Sequence, residues 1–207
     1  MSPTRHCLAV VTACLASGAA TAANIVPNGS FEIGGFANTT CNYMLLAPGD
    51  SSLAGWTVAN QSIAWGRSTC DGFAGSDGPS FVDLSAFGAN SPNGTLAQLL
   101  GTTTGVQYDF AIDQQGGAVT VTLGGTPLTL TSGSVVGGWT RYTSSFTATG
   151  NSTLLAVSNA APGNPVVFID NVQLSAVVPV PAAGWLLLAG LGALGTASSR
   201  RQRGGSC

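Results

Sequence analysis

The chain has 207 residues, a formal net charge of −2, 44% hydrophobic residues and only 7% charged ones. Six basic and eight acidic residues, with no lysine at all, cannot build the positive surface that nucleic acid demands. The recurring blocks of aromatic, Val, Ile and Leu residues argue equally against a disordered chain.

The N-terminus reads as an export signal. Arg5 and His6 give a short positive start, Cys7 to Ala20 is small and apolar, and Ala20-Thr21-Ala22 offers an A-x-A cleavage site. Residues 1–23 are therefore expected to be a secretory signal peptide. Val11-Thr12-Ala13-Cys14 also resembles a lipobox, so a lipoprotein anchored at Cys14 is the alternative.

The next stretch, 24–176, has the size of one domain and can bury a substantial core. It holds all eight acidic residues and two of the basic ones, Arg67 and Arg141, for a net charge near −6. Its cysteines are Cys41 and Cys70, and in an exported domain a disulfide is the default reading. Closing that loop would contribute roughly 3.5 kcal/mol in the chain-entropy model. A two-cysteine metal site is the alternative, without a histidine to support it.

Short strands follow one another in this stretch. Ile25, Val26 and Phe31 mark an edge strand with a turn at Asn28-Gly29. Gly34 to Ser52 is read as a loop. Leu53 to Val58 and Gln61 to Gly66 are strands around Trp56 and Trp65, and Arg67 to Pro79 is a second loop. Ser80 to Leu84, Thr95 to Leu100 and Val106 to Ile112 follow. Ala118 to Leu123 alternates strictly, and Gly124-Gly125 reads as a tight hairpin into Pro127 to Thr131. Trp139 to Thr147, Thr153 to Ser158 and Val166 to Leu174 complete the set. The predicted fold is all-β, a β-sandwich of jelly-roll type.

The chain ends on a different pattern. Ala182 to Ala197 carries no charge, and 16 residues of helix would be about 24 Å long. Trp185 suits a membrane interface, and Arg200, Arg201 and Arg203 suit its cytoplasmic side. A transmembrane helix with a basic tail is expected over 177–207. Gly190-Leu-Gly192-Ala-Leu-Gly195 is formally a G-x-G-x-x-G, but no strand precedes it, so a dinucleotide loop is rejected.

Val178-Pro179-Val180-Pro181-Ala182-Ala183, then Trp185, the Leu/Gly run and Arg200-Arg201, resemble the PEP-CTERM sorting signal of Gram-negative bacteria. Val180 stands where that family usually has Glu, and four residues follow Arg203. The resemblance implies transient anchoring in the inner membrane and cleavage near Pro181 by an exosortase. The destination would be the cell surface or extracellular matrix of an exopolysaccharide-making species. A plain C-terminal anchor that stays attached is the alternative.

A second resemblance spans the domain. Asn24-Ile-Val-Pro-Asn-Gly-Ser-Phe-Glu32, Gly55-Trp56, Ser80-Phe-Val-Asp-Leu84 and Gly94-Thr-Leu-Ala-Gln-Leu-Leu100 open one order of blocks. Gly105 to Phe110, Gly138-Trp139 with Phe146 to Thr149, and Phe168-Ile-Asp-Asn-Val-Gln-Leu174 continue it. Together they are similar to choice-of-anchor C exported proteins and their carbohydrate-binding-module-like relatives. The fold implied is a galactose-binding-like jelly roll. The Cys41–Cys70 region has no counterpart in that family. By the same resemblance a structural Ca²⁺ would tie the terminal strands, with carboxylates from Glu32 and Asp170 and oxygens near Asn24 and Asn28.

Catalysis finds little to use. Without His or Lys in 24–176, a Ser-His-Asp triad or an activated lysine cannot be built. Asp109 and Asp113 would lie about 13 Å apart along an extended strand, too far for a glycosidase pair, and are read as solvated charges. No catalytic residue is assigned. For sugar binding, Tyr43, Trp65, Arg67 and Phe73 cluster around the cysteine loops and form the candidate glycan platform. Trp56 and Trp139 are read as core. The expected role is a non-enzymatic protein that binds or organises extracellular polysaccharide in a biofilm matrix. A structural matrix or adhesin protein without a glycan ligand is the alternative.

Overall fold

Alternation of apolar and polar residues gives each strand one face for a shared core and one for its surroundings. The computed structural model describes residues 22–37, 40–69, 71–86, 94–160 and 166–178. Its strands, numbered in chain order, form two antiparallel sheets. Seven pair in the order β1 (Tyr43–Leu46), β3 (Ile63–Arg67), β4 (Ser80–Asp83), β12 (Val167–Ala176), β6 (Gln107–Gly116), β10 (Trp139–Thr147), β9 (Thr131–Val136). Five pair in the order β2 (Thr57–Ala59), β5 (Thr95–Gly101), β11 (Ser152–Asn159), β7 (Val119–Leu123), β8 (Thr126–Pro127). The chain passes repeatedly from one sheet to the other, and the result is a jelly-roll β-sandwich. Residues Ala22–Val177 form one compact unit.

The core fills the space between the sheets. Ile63, Trp65, Val82, Phe110, Ile112, Ile169 and Leu174 enter it from the larger sheet, and Leu96, Leu100, Val121, Leu123, Leu155 and Val157 from the smaller. Each large apolar side chain so buried contributes about 1.5–3 kcal/mol. The strict alternation in β7 and β11 is the sequence pattern realised: Val121 and Leu123 point in, and Thr120 and Thr122 point out.

Four strand readings change. The strand expected over Leu53 to Val58 shrinks to β2, with Leu53 in an isolated bridge to Gly34. The stretch expected to be a loop before Ser52 contains β1, whose Leu46 is fully buried. The strand expected over Pro127 to Thr131 is instead the two-residue β8 and, after a break, β9. The opening segment makes only an isolated bridge, Asn24 to Ser175, because its polar groups are used elsewhere. Asn24 Oδ1 accepts from the amides of Val26 and Leu174 at 3.0 and 2.9 Å. Asn28 Oδ1 accepts from the amide of Ile33 at 2.9 Å, and its Nδ2 donates to the carbonyls of Ile33 and Ala54. Two indoles close the segment from below. Trp56 Nε1 donates to the Asn28 carbonyl at 2.9 Å, and Trp65 Nε1 to the Phe31 carbonyl at 3.0 Å.

The expected signal peptide, Cys14, Cys70 and the expected tail helix lie outside the described residues. Among the described residues no helix is long and apolar enough to cross a membrane.

Gly29 sits where the opening segment meets β12, and its carbonyl accepts from the Val172 amide at 2.9 Å. A β-carbon there would collide with the Val172 carbonyl oxygen, whereas one at Gly35 would meet nothing within 4 Å. We expect Gly29→Ala to cost ~1–3 kcal/mol through overpacking. Gly35→Ala should change the melting temperature little, and thermal denaturation of the two variants side by side checks both.

Candidate functional site

The outward face of the seven-stranded sheet carries a second, smaller apolar cluster. Register places Tyr43 opposite Gly66 and Gly66 opposite Phe81, so Tyr43 and Phe81 share this face. Phe81, Phe168 and Trp139 are its buried members, with Tyr43 packed against them. The rings meet edge to face: Phe81–Phe168 at 4.9 Å, Phe81–Trp139 at 6.4 Å and Tyr43–Phe81 at 6.0 Å between centroids. Gly66 lets Phe81 lie against the sheet, since any β-carbon there would collide with its ring. Phe73, from the 71–79 loop, lies over Phe168 with centroids 4.7 Å apart and rings tilted at 60°, and stays partly exposed.

Beside these rings lies a polar network. Asp113 of β6 and Arg141 of β10 are directly paired across the ladder, and Arg141 Nη1 donates to Asp113 Oδ1 at 3.0 Å. The same guanidinium donates to the Asn171 carbonyl at 3.0 Å and to Gln173 Oε1 at 2.7 Å. The register of β12 against β6 shifts between Asp170 and Gln173, with Asn171 at φ 51°. That bulge puts the Asn171 side-chain amide 3.0 Å from Asp113 Oδ2. Asp170, fully buried, seats the loop: its Oδ2 accepts from the amides of Ser76 and Asp77 at 2.6 and 2.8 Å. Ser76 Oγ lies between the two carboxylates, 2.7 Å from Asp113 Oδ2 and 3.2 Å from Asp170 Oδ2.

Burial pushes the Asp170 carboxyl up to about 7, against the pull of the Asp77, Asn171 and Ser76 donors. When it holds a proton, that proton can go to Ser76 Oγ, whose own hydrogen goes to Asp113. Burial, helped by the carboxylates of Asp71 and Asp83, also raises the Tyr43 phenol above its usual value.

Between loop and sheet is an open cavity of about 560 Å³, lined among others by Phe73, Trp139, Asp113, Gln115, Arg141 and Asn171. The four residues expected to form a platform separate here. Phe73 walls the cavity, and Tyr43 lies farther along the same aromatic row. Trp65 does not belong to it. It is fully buried between the sheets, because its place in β3 points to the opposite face from Gly66, and its indole N–H is used on Phe31. Arg67 does not line the cavity either; it lies 3.9 Å from Glu32, opposite Ser80. Trp56 is core as expected, but Trp139 belongs to the outer cluster and lines the cavity. Of the two aspartates read as solvated, Asp109 is exposed and Asp113 is buried and paired. The sequence signal for this cavity is the alternation Trp139-x-Arg141 and Asp113-x-Gln115, two polar-aromatic strand faces of one parity. Cys41, just before β1, is disulfide-bonded.

The four residues proposed for calcium are all engaged in hydrogen bonds. Asn24 and Asn28 turn their amide oxygens to backbone N–H groups. Glu32 accepts from the Ser80 amide at 2.7 Å and the Ser80 hydroxyl at 2.9 Å, and Asp170 accepts from the loop. Among the described residues no group of three or more His, Cys, Asp or Glu side chains could hold a metal ion. The set contributes two carboxylates, Glu32 and Asp170, each already accepting hydrogen bonds from Ser80 or from the loop amides.

A family model described as the PEP-CTERM protein-sorting motif matches residues 177–202. The chain thus carries the C-terminal sorting signal of an exported protein. No curated protein matches it. Among solved structures, a CBM4 module shares 13% identity over 73% of this chain and 99% of its own, with a TM-score of 0.39. TmCBM61 in complex with β-1,4-galactotriose shares 17% over 75% and 99%, with a TM-score of 0.40. The enzymatically active domain of bacteriophage CBA120 tailspike protein 4 shares 13% over 74% of this chain and 21% of its own, with a TM-score of 0.43.

Two measurements follow from the network. With every named oxygen already bonded, calcium and EDTA should give the same melting temperature, and a calcium-dependent rise would restore the ion. The raised Asp170 carboxyl binds a proton more tightly in the folded chain than in the unfolded one. Its contribution is therefore complete below about pH 4 and fades as pH rises toward about 7. Urea denaturation at pH 5 and pH 7.5 should show that loss, on the order of 2 kcal/mol, and Asp170→Asn should flatten it.

Proposed function

We propose that this PEP-CTERM-sorted protein is a non-enzymatic module that binds extracellular polysaccharide in the groove beneath the 71–79 loop. Export and sorting deliver it to the cell surface or matrix through the inner membrane, with an exosortase as the processing partner. We propose also that Cys41 pairs with Cys70, which would fix the base of that loop.

One observation carries the reading: an open cavity with aromatic walls and a floor of planar hydrogen-bonding groups. A sugar ring offers an apolar C–H face and a rim of hydroxyls. Phe73 and Trp139 suit the first, and Gln115, Asn171 and the outer edge of Arg141 suit the second. The two charges in the cavity neutralise each other at 3.0 Å, so a neutral sugar fits better than an acidic one. The cavity is open rather than closed over its occupant, as a long polymer requires. The absence of His and Lys from 24–176 supports binding over turnover.

Calorimetric titration of the chain with its host's exopolysaccharide tests this. Saturable heat is expected, reduced roughly tenfold or more in affinity by Phe73→Ala or Gln115→Ala. Trp139→Ala should do the same, but it also packs on Phe81, so the exposed Phe73 is the cleaner variant. Trp65→Ala would act only through folding. Absence of heat from a folded chain would favour a structural matrix protein, and released sugar would overturn the non-enzymatic reading.

A further inference from the structure

Sheet edges present unpaired N–H and C=O groups, and proteins blunt them with charge, proline or short strands. Among the described residues the sandwich has four edges. β8 has two residues, one of them Pro127, and β2 has three. β1 has four and begins two residues after Cys41. β9 differs from all of them. Its six residues, Thr131-Ser-Gly-Ser-Val-Val136, are all exposed and include neither charge nor proline. Val135 and Val136 are 66% and 74% exposed. The one protection is a register shift against β10 between Thr140 and Tyr142.

The charge distribution says which partner suits this edge. From residue 114 to residue 169 the only charged residue is Arg141, and it faces Asp113 within the groove. Copies of a domain with a net charge near −6 repel one another through their other surfaces, and the uncharged β9 side is where they approach at least cost.

We propose that two copies of this chain pair β9 to β9, antiparallel, about a two-fold axis normal to the sheet. Such a contact is isologous, so it closes at a dimer and leaves no further edge of the same kind. The axis keeps both outward faces on one side. Ser134, Val136 and Gly137 line the groove from the β9 side, so pairing makes the two grooves neighbours on one continuous face. A six-residue edge buries less than the ~800 Å² per partner of a standard interface, so the dimer is weak, with a micromolar Kd of about 10–100 µM. On a polymer the two grooves act together, and avidity offsets the weak sugar contact. That last consequence rests on the polysaccharide reading; the pairing itself does not.

Sedimentation velocity of the full chain in detergent, from about 5 to about 300 µM and without sugar, tests the pairing. Val135→Lys puts a charge on the edge without touching the groove lining, and the hydrophobic tail is identical in both proteins. Wild type should move from monomer to dimer over this range, while Val135→Lys stays monomeric with an unchanged melting temperature. A wild type that is monomeric throughout, or a Val135→Lys dimer as tight as wild type, would overturn the proposal. Either failure leaves the sugar titration of the single groove untouched.

Discussion

The segment from Asn24 to Glu32 is the piece on which the rest of the sandwich leans. It is not a strand, yet it spans both halves of the domain with hydrogen bonds. Its carbonyls take the indole protons of Trp56 and Trp65, which sit beside the smaller and in the larger sheet. Its two asparagines mimic strand pairing with side-chain amides, tying β12 at one end and the carbonyls of Ile33 and Ala54 at the other. Glu32 then reaches Ser80 at the start of β4. A buried Trp needs a partner for its N–H, and this segment supplies two such partners without spending a ladder.

That arrangement frees the outward face of the larger sheet. With Trp65 and Val82 turned to the core, the intervening positions, Gly66 and Phe81, must face outward, and so must Phe168 and Trp139. The aromatic row is thus a consequence of strand parity once the core side is full. Covering it fully would have hidden it as a second core. The 71–79 loop covers only part, because Ser76 and Asp77 are held down by Asp170 while Phe73 alone reaches over Phe168. Burying Asp113, Arg141 and Asp170 costs desolvation that their mutual hydrogen bonds only offset. Such a network contributes little net stability and is better understood as fixing one loop position over one groove shape.

Much of the strand layout was legible because alternation is local. β4, β5, β7 and β10 to β12 lie where their patterns put them. β1 and β9 were not, for one shared reason: both are edges. An edge strand such as Thr131–Val136, exposed on both faces, has no apolar period to show. The site was half legible. Phe73 and Tyr43 could be placed near the cysteine loops, but Trp65 and Trp139 exchanged roles. Composition cannot tell which face of a strand is the core; that depends on register with the neighbouring strands rather than on the strand's own residues. Asp113 was undervalued in the same way, since its partner Arg141 is distant in sequence and adjacent only across the β6–β10 ladder.

Low charge connects the sorting signal to the groove. In the proposed polysaccharide role few charged side chains are needed, since a neutral polymer offers no charge to pair with. The chain meets its need for polarity with Ser, Thr, Asn and Gln instead, and these are also the groups that exchange hydrogen bonds with sugar hydroxyls at little desolvation cost. The groove floor follows the same rule, its single ion pair closed on itself. Such a surface would hold a neutral polymer without long-range attraction. It must rely on shape, on ring faces and on contacts made several at a time. In the role we propose, weak contacts repeated along a polymer would give firm retention with rapid local exchange.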